Sequence, residues 1–210
     1  LHGYDWRKPV ADSVDGLAKT LGDALAKAQT IGKPVHAIVH SMGGVLIRAT
    51  LARDEALWKA WNSQPGEPRV VMLGTPNQGS HAITLLVTAR DKFFRQLAFL
   101  DICHSQEELL ATAVGFPGVM ELLPVSAQEN GAEIREADTW KRFRDADKGA
   151  RWPLPAGDVL AQSGELWASL ARHDPLIASE RLIYVAGQAP QTPVKASTDG
   201  DRLRIEIVDR

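Results

Sequence analysis

The stretch HAIVHSMGGVLIRATL, residues 36–51, constrains this chain more than any other. An apolar, β-branched run ends at His40-Ser41, and a helical pattern starts at once through Gly43-Gly44. A strand that passes without a linker into a helix leaves Ser41 at the tip of a sharp turn, the arrangement of a nucleophile elbow. Such a turn demands backbone angles that L-residues rarely adopt, so the positions after it must be small. Gly43 meets that demand, and Gly44 gives the helix room to approach. The helix aims its positive end at any oxyanion formed beside the serine. Ser41 is therefore the candidate nucleophile, and the N–H of Met42, the next residue, is a candidate oxyanion donor. Two positions before the serine, where glycine is usual, stands Val39. Its branched side chain is expected to crowd its neighbours unless the facing residue is small. The plain alternative is a strand–helix turn without chemistry.

The flanking pattern sets the fold class. Val14, Leu17, Ala18, Leu21, Ala24, Leu25 and Ala28 fall at helical spacing, with Asp12 or Ser13 as cap and Gly32 and Pro34 as stop. PVHAIVH reads as a buried strand, GGVLIRATLARDEALWKAW as one helix, and RVVMLG as a second buried strand. This rhythm predicts an α/β protein with a mostly parallel sheet whose strands are covered on both faces. From Ser80 the rhythm changes to helical segments punctuated by GFPG, ELLP and RWPLPAG. RLIYVAG restores a strand, and the tail reads as two strands joined around Asp199-Gly200. The expected organisation is a core over 1–79, a helical cap or lid over 80–175, and a return to the core over 176–210.

Composition narrows the partners. Lys and Arg total 24 against 26 Asp and Glu, a formal net charge of −2, so no basic field for nucleic acid follows. No apolar stretch reaches the length of a transmembrane helix. One cysteine, Cys103, rules out an internal disulfide framework. It fits a reducing, cytoplasmic setting without deciding the compartment. DICHSQEE gathers Cys103, His104 and two glutamates but lacks the spaced ligands of a metal set, and reads as a helix boundary. KRFRDADK alternates charge like a solvated helix face. The aromatics Phe93, Phe94, Phe99, Phe116, Trp140, Phe143, Trp152 and Trp167 are expected mainly in the core. A few exposed ones would suit a lipid substrate.

Taken in order, YDWR (4–7), PVHAIVHSMGG, VVMLGTPNQGS, MELLP (120–124) and YVAGQAPQTP (184–193) resemble the lecithin:cholesterol acyltransferase-like α/β-hydrolases. The resemblance implies an α/β-hydrolase fold with a lid and a Ser-Asp-His triad. It also implies hydrolysis or transfer of a fatty acyl ester from a small-molecule or lipid substrate, with no cofactor. Tyr4–Arg7 and Thr75–Ser80 would shape the rim of the site.

A serine nucleophile needs a histidine base, and the histidine a carboxylate to hold it. In this fold the order is serine, acid, histidine. The resemblance sets the acid in a Gly-Asp-Gly-like turn after the Tyr184–Pro193 stretch and a hairpin, with the histidine later still. Asp199 and Asp201 flank Gly200 but read as a hairpin tip, with no histidine after them. His173 with Asp158 is a weaker pair, His173 ending a helix. His81 reads as a helix start, and the side chain of His40 points away from the serine's face of the strand. His2, His36 and His104 have no supporting context, and His2-Gly3 stands too close to YDWR for an oxyanion loop. With no initiator methionine or signal core at LHGYDWRKPV, the expectation is an interior piece of a longer hydrolase, inactive in isolation.

Overall fold

The computed structural model describes residues 1–125 and 134–209. In chain order the elements are α1 (Val10–Ile31), β1 (Ala37–His40), α2 (Met42–Arg53), α3 (Glu55–Asn62), β2 (Val70–Leu73), α4 (His81–Val87), α5 (Lys92–Leu100), α6 (Gln106–Val114), α7 (Pro117–Met120), α8 (Ala137–Ala146), α9 (Gly157–Arg172), β3 (Leu182–Val185), β4 (Gln191–Asp199) and β5 (Arg202–Asp209). The α/β class expected from the sequence is what forms. Its parallel sheet is small, with strand order β1-β2-β3.

Local chemistry explains most element boundaries. In α1, Val10, Val14, Leu17, Leu21, Leu25 and Ala28 are buried at three- and four-residue spacing. The helix stops at Gly32, which takes φ 63° and donates its N–H to the Ala28 carbonyl. It starts earlier than expected, behind Pro9, so Asp12 lies in the first turn instead of capping. An acid there still complements the positive helix end. The long helix expected after the elbow is broken in two. Asp54 leaves helical angles (φ −113°, ψ 88°), and its side chain accepts from the Leu57 N–H at 2.8 Å, ending α2 and starting α3. AITLLVTARDKFFRQLAFL, whose apolar pattern reads as one helical segment, is likewise broken where Ala89 takes φ 57° between α4 and α5.

Contacts divide the chain into two units, Leu1–Asn77 with Leu166–Gly187, and Gln78–Glu165 with Gln188–Arg210. The first holds the parallel sheet. Ala37, Ile38, Val39 and His40 pair with Val70, Val71, Met72 and Leu73, which pair in turn with Leu182, Ile183, Tyr184 and Val185. Helix α2 lies on the side of Val39 and Met72, and α1 packs on α2. Val70 and Met72 on that side are fully buried. Ile38, 74% exposed, and the exposed Ile183 and Val185 lie on the opposite side. The expectation of strands covered on both faces is thus corrected. Apolar composition marks strands able to be covered, but covering one takes a helix packed there, and the described helices of this unit leave that side open.

The second unit has its own core, in which Val87, Leu110, Met120, Leu123, Trp140, Phe143, Trp152 and Leu160 are buried together. Trp140 meets Phe143 and Trp152 edge-on, with ring centroids 5.8 and 6.3 Å away. The hairpin β4–β5 belongs here and not with the parallel sheet. Its strand β4 packs on α4 and α8, and Leu203 of β5 joins the aromatic cluster. That differs from the expected return of 176–210 to the core: β3 goes back to the sheet, and the hairpin stays with the helices. The hairpin itself forms where expected, turning at Gly200 with φ 54°. DICHSQEE is the helix boundary read from sequence, since Ser105 and Glu108 form a reciprocal capping box at the start of α6.

Candidate active site

Ser41 is the residue between β1 and α2, and its backbone sits at φ 51°, ψ −128°. A side chain with Cβ rarely adopts such angles, which cost on the order of 1–3 kcal/mol unless neighbours enforce them. The enforcement is visible. The Ser41 N–H donates to the Leu73 carbonyl at 3.0 Å, tying the turn to the end of β2, while Met42 begins α2 at once. The N–H groups of Met42 and Gly43 are in the first turn, where a helix has no internal carbonyl to receive them. Both are free to donate to an acceptor at this helix N-terminus.

The two glycines after the serine have different duties. A Cβ on Gly43 would meet nothing nearer than Val39 Cβ at 3.9 Å and Tyr4 Oη at 4.0 Å. Val39 faces Gly43 and causes no crowding there, since even a Cβ at that position would make only an ordinary contact. Gly44 is the tight position. A Cβ there would stand closer than 3.0 Å to Oγ1, Cγ2 and Cβ of Thr75. Thr75 is buried, and its Oγ1 makes no hydrogen bond.

The segment after β2 is held from three sides. Gly74 takes φ 56°, and its N–H donates to the Val185 carbonyl at 2.9 Å. The Tyr184 hydroxyl donates to the Thr75 carbonyl at 3.0 Å. Arg48 of α2 reaches Asn77 with Nη1, 2.9 Å from its backbone oxygen and 3.1 Å from Oδ1. The same guanidinium pairs with Asp174 and stands 5.5 Å from the Trp167 ring centroid. Arg48 shares a face of α2 with the buried Val45 and Leu51, three residues to either side, and that placement was the signal the sequence offered.

At the N-terminal edge, Arg7 grips Asp5 with Nε at 2.8 Å and Nη2 at 2.9 Å, and its N–H adds a third bond at 3.1 Å. The Arg7 guanidinium holds the Asp5 carboxyl down to about 2. Burial pushes the Tyr4 phenol up, so it remains a neutral hydroxyl beside Gly43. In the second unit, two motifs that are distant in sequence meet: Ser80 N–H donates to the Leu122 carbonyl at 2.8 Å and Val125 N–H to the Gln78 carbonyl at 2.9 Å. NQGS and MELLP are thus neighbours. Gly79, at φ 71°, is needed there because a Cβ would fall within 3.0 Å of the Leu123 backbone.

The histidines have other employment. His2 bonds Thr20, His36 accepts from the Arg69 N–H, and His104 lies 3.1 Å from Asp101. His81 opens α4, as read from the sequence, and burial pulls its ring pKa down. His40 and His173 are exposed. The candidate acids have partners too: Asp199 pairs with Arg204, Asp201 with Lys148, and Asp158 accepts from the Val159 N–H at the start of α9. Among the described residues, no group of three or more His, Cys, Asp or Glu side chains gathers as metal ligands would, and no helix is long and apolar enough to cross a membrane.

No family model matches this sequence, and no curated protein matches it.

Proposed function

We propose that this chain carries the nucleophile of a serine esterase, lipase or acyltransferase of the α/β-hydrolase fold, similar to the lecithin:cholesterol acyltransferase-like family. The observation that carries the reading is the strained Ser41 between β1 and α2. Strain of that kind persists where a side chain must be presented, and here it presents a hydroxyl at a helix N-terminus. In the reaction, Ser41 Oγ bonds to the carbonyl carbon of a fatty acyl ester and the carbonyl oxygen becomes an oxyanion. The Met42 N–H donates to that oxyanion. The C–O bond to the alcohol breaks, the serine proton passes through a base to the leaving alcohol, and an acyl-serine remains. Water or a second alcohol then takes the acyl group. The family resemblance sets the base and its carboxylate on the C-terminal side of the Tyr184–Pro193 stretch.

One observation favours a second reading, a hydrolase-like module that binds without catalysing: no described histidine is bonded to Ser41. A fluorophosphonate probe on the full-length protein separates the two. Labelling that disappears in Ser41→Ala is the expected result. A folded protein that takes no label overturns the enzymatic reading in favour of the binding module.

A further inference from the structure

None of the residues of α5 is buried, although its sequence is KFFRQLAFL. Phe93, Leu97 and Leu100 recur at i, i+4 and i+7, which puts them on one side of the helix. They are 68%, 49% and 74% exposed. Phe99, on another side of the helix, is 87% exposed, and Ile102, two residues past its end, is 97% exposed. Phe94, about a quarter-turn away from this stripe, is what packs against the core of the second unit. The exposed stripe is therefore additional to the side that anchors the helix. Left in water, so many large apolar groups on and just beyond a nine-residue helix mark a surface that meets something else.

Charge selects the occupant. Lys92 lies about a quarter-turn from the stripe and Arg95 on the side of the helix facing away from it; both line a shallow concavity with Gln96, Phe99 and Leu100. Neither cation has an ion pair or hydrogen bond among the described residues. The helix contains no acid. Asp91 and Asp101 at its two ends are used as caps, accepting from the N–H groups of Phe94 and of Cys103 and His104. A second copy of this surface would bring cations against cations. An anionic lipid bilayer offers an apolar interior for the stripe and phosphates for the flank, the pairing that amphipathic interfacial helices use. Nine residues cannot span a bilayer, so the helix lies along the surface.

We propose that α5 docks this protein on an anionic lipid surface, with Phe93, Leu97 and Leu100 among the acyl chains and Lys92 and Arg95 at the level of the headgroup phosphates. The proposal agrees with a lipid ester as substrate but does not rest on Ser41 chemistry. It is tested by vesicle co-sedimentation of the full-length protein carrying Ser41→Ala, so that failure of the esterase reading leaves the result untouched. The vesicles are phosphatidylcholine, with or without roughly one-third phosphatidylglycerol. Expected is binding to the anionic vesicles that weakens with salt, and about tenfold weaker partitioning of Phe93→Ser/Leu97→Ser/Leu100→Ser with unchanged circular dichroism. Lys92→Gln/Arg95→Gln, which leaves the apolar stripe intact, should lose the preference for anionic lipid. Three results would overturn the proposal. These are no binding to either vesicle, equal binding by the triple variant, or a dimer that the triple variant converts to monomer without any vesicle binding.

Discussion

Arg48 Nε lies 2.7 Å from Asp174 Oδ2, and the two side chains are only 7% and 9% exposed. With its bonds to Asn77 and its place over Trp167, this guanidinium links α2, the segment after β2 and the segment after α9. A buried pair of this kind is worth little against an apolar replacement, yet breaking one side of it is costly. Asp174→Ala strands a buried cation and should lower unfolding free energy by about 3 kcal/mol or more in urea titrations. The double variant Arg48→Met/Asp174→Leu should recover much of that loss. A double variant as unstable as the sum of the singles would show that packing, and not the stranded charge, sets the cost.

Gly44→Ala forces a methyl into Thr75. Overpacking of this sort costs about 1–3 kcal/mol. Thr75→Ala in the same chain removes Oγ1 and Cγ2 but leaves Cβ, which is also closer than 3.0 Å. Rescue should therefore be partial. Thermal unfolding of the two single variants and the double variant checks this, and a Gly44→Ala protein as stable as the parent contradicts the contact.

Ser41 offers a test of strain separate from chemistry. Its φ of 51° is available to glycine without a Cβ penalty. Ser41→Ala keeps the penalty and Ser41→Gly relieves it, so the glycine variant should be the more stable by about 1 kcal/mol, while neither takes a fluorophosphonate label. Equal midpoints in chemical denaturation would remove the strain argument.

His81 makes stability depend on pH. Burial disfavours the charged ring, and Nδ1 has no partner, so its folded pKa lies below the ordinary 6.5. Between those two values the unfolded chain binds more protons. The neutral ring's contribution is therefore fully present above about pH 6.5 and is lost as pH falls through the folded value. Urea midpoints measured from pH 7.5 down to about 5 should fall more steeply for the parent than for His81→Phe. Parallel curves would mean the ring is not desolvated.

Much of the strand–serine–helix turn was legible because its signals are local. The β-branched run, Ser41 and the two glycines lie within a few residues, and each acts on backbone angles through its own side chain or lack of one. The capping box of Ser105 and Glu108 and the turn at Gly200 could be read for the same reason. The breaks at Asp54 and Ala89 could not, since apolar periodicity runs through both, and only the angles adopted there show a cap and a left-handed residue. The exposed side of the sheet was also hidden. Ile38 and Met72 look alike as strand residues, and only the placement of α2 buries one and leaves the other in water.

By itself, then, the sequence determined the α/β class and a strand–serine–helix turn, because hydrogen bonding and steric exclusion over a few residues suffice for both. The tertiary structure decided the rest. Arg48 and Asp174 are 126 residues apart in the chain. In sequence Asp174 reads as an ordinary surface charge, and the place of Arg48 between Val45 and Leu51 on α2 does not say which acid will meet it. Once folding removes both from water, low polarity makes each the necessary partner of the other, and the pair fixes the segment beside Ser41. Gly44 and Thr75, or Leu203 and the tryptophans of the second unit, carry the same lesson: burial belongs to what is packed around a residue, and the chain brings those neighbours from far away.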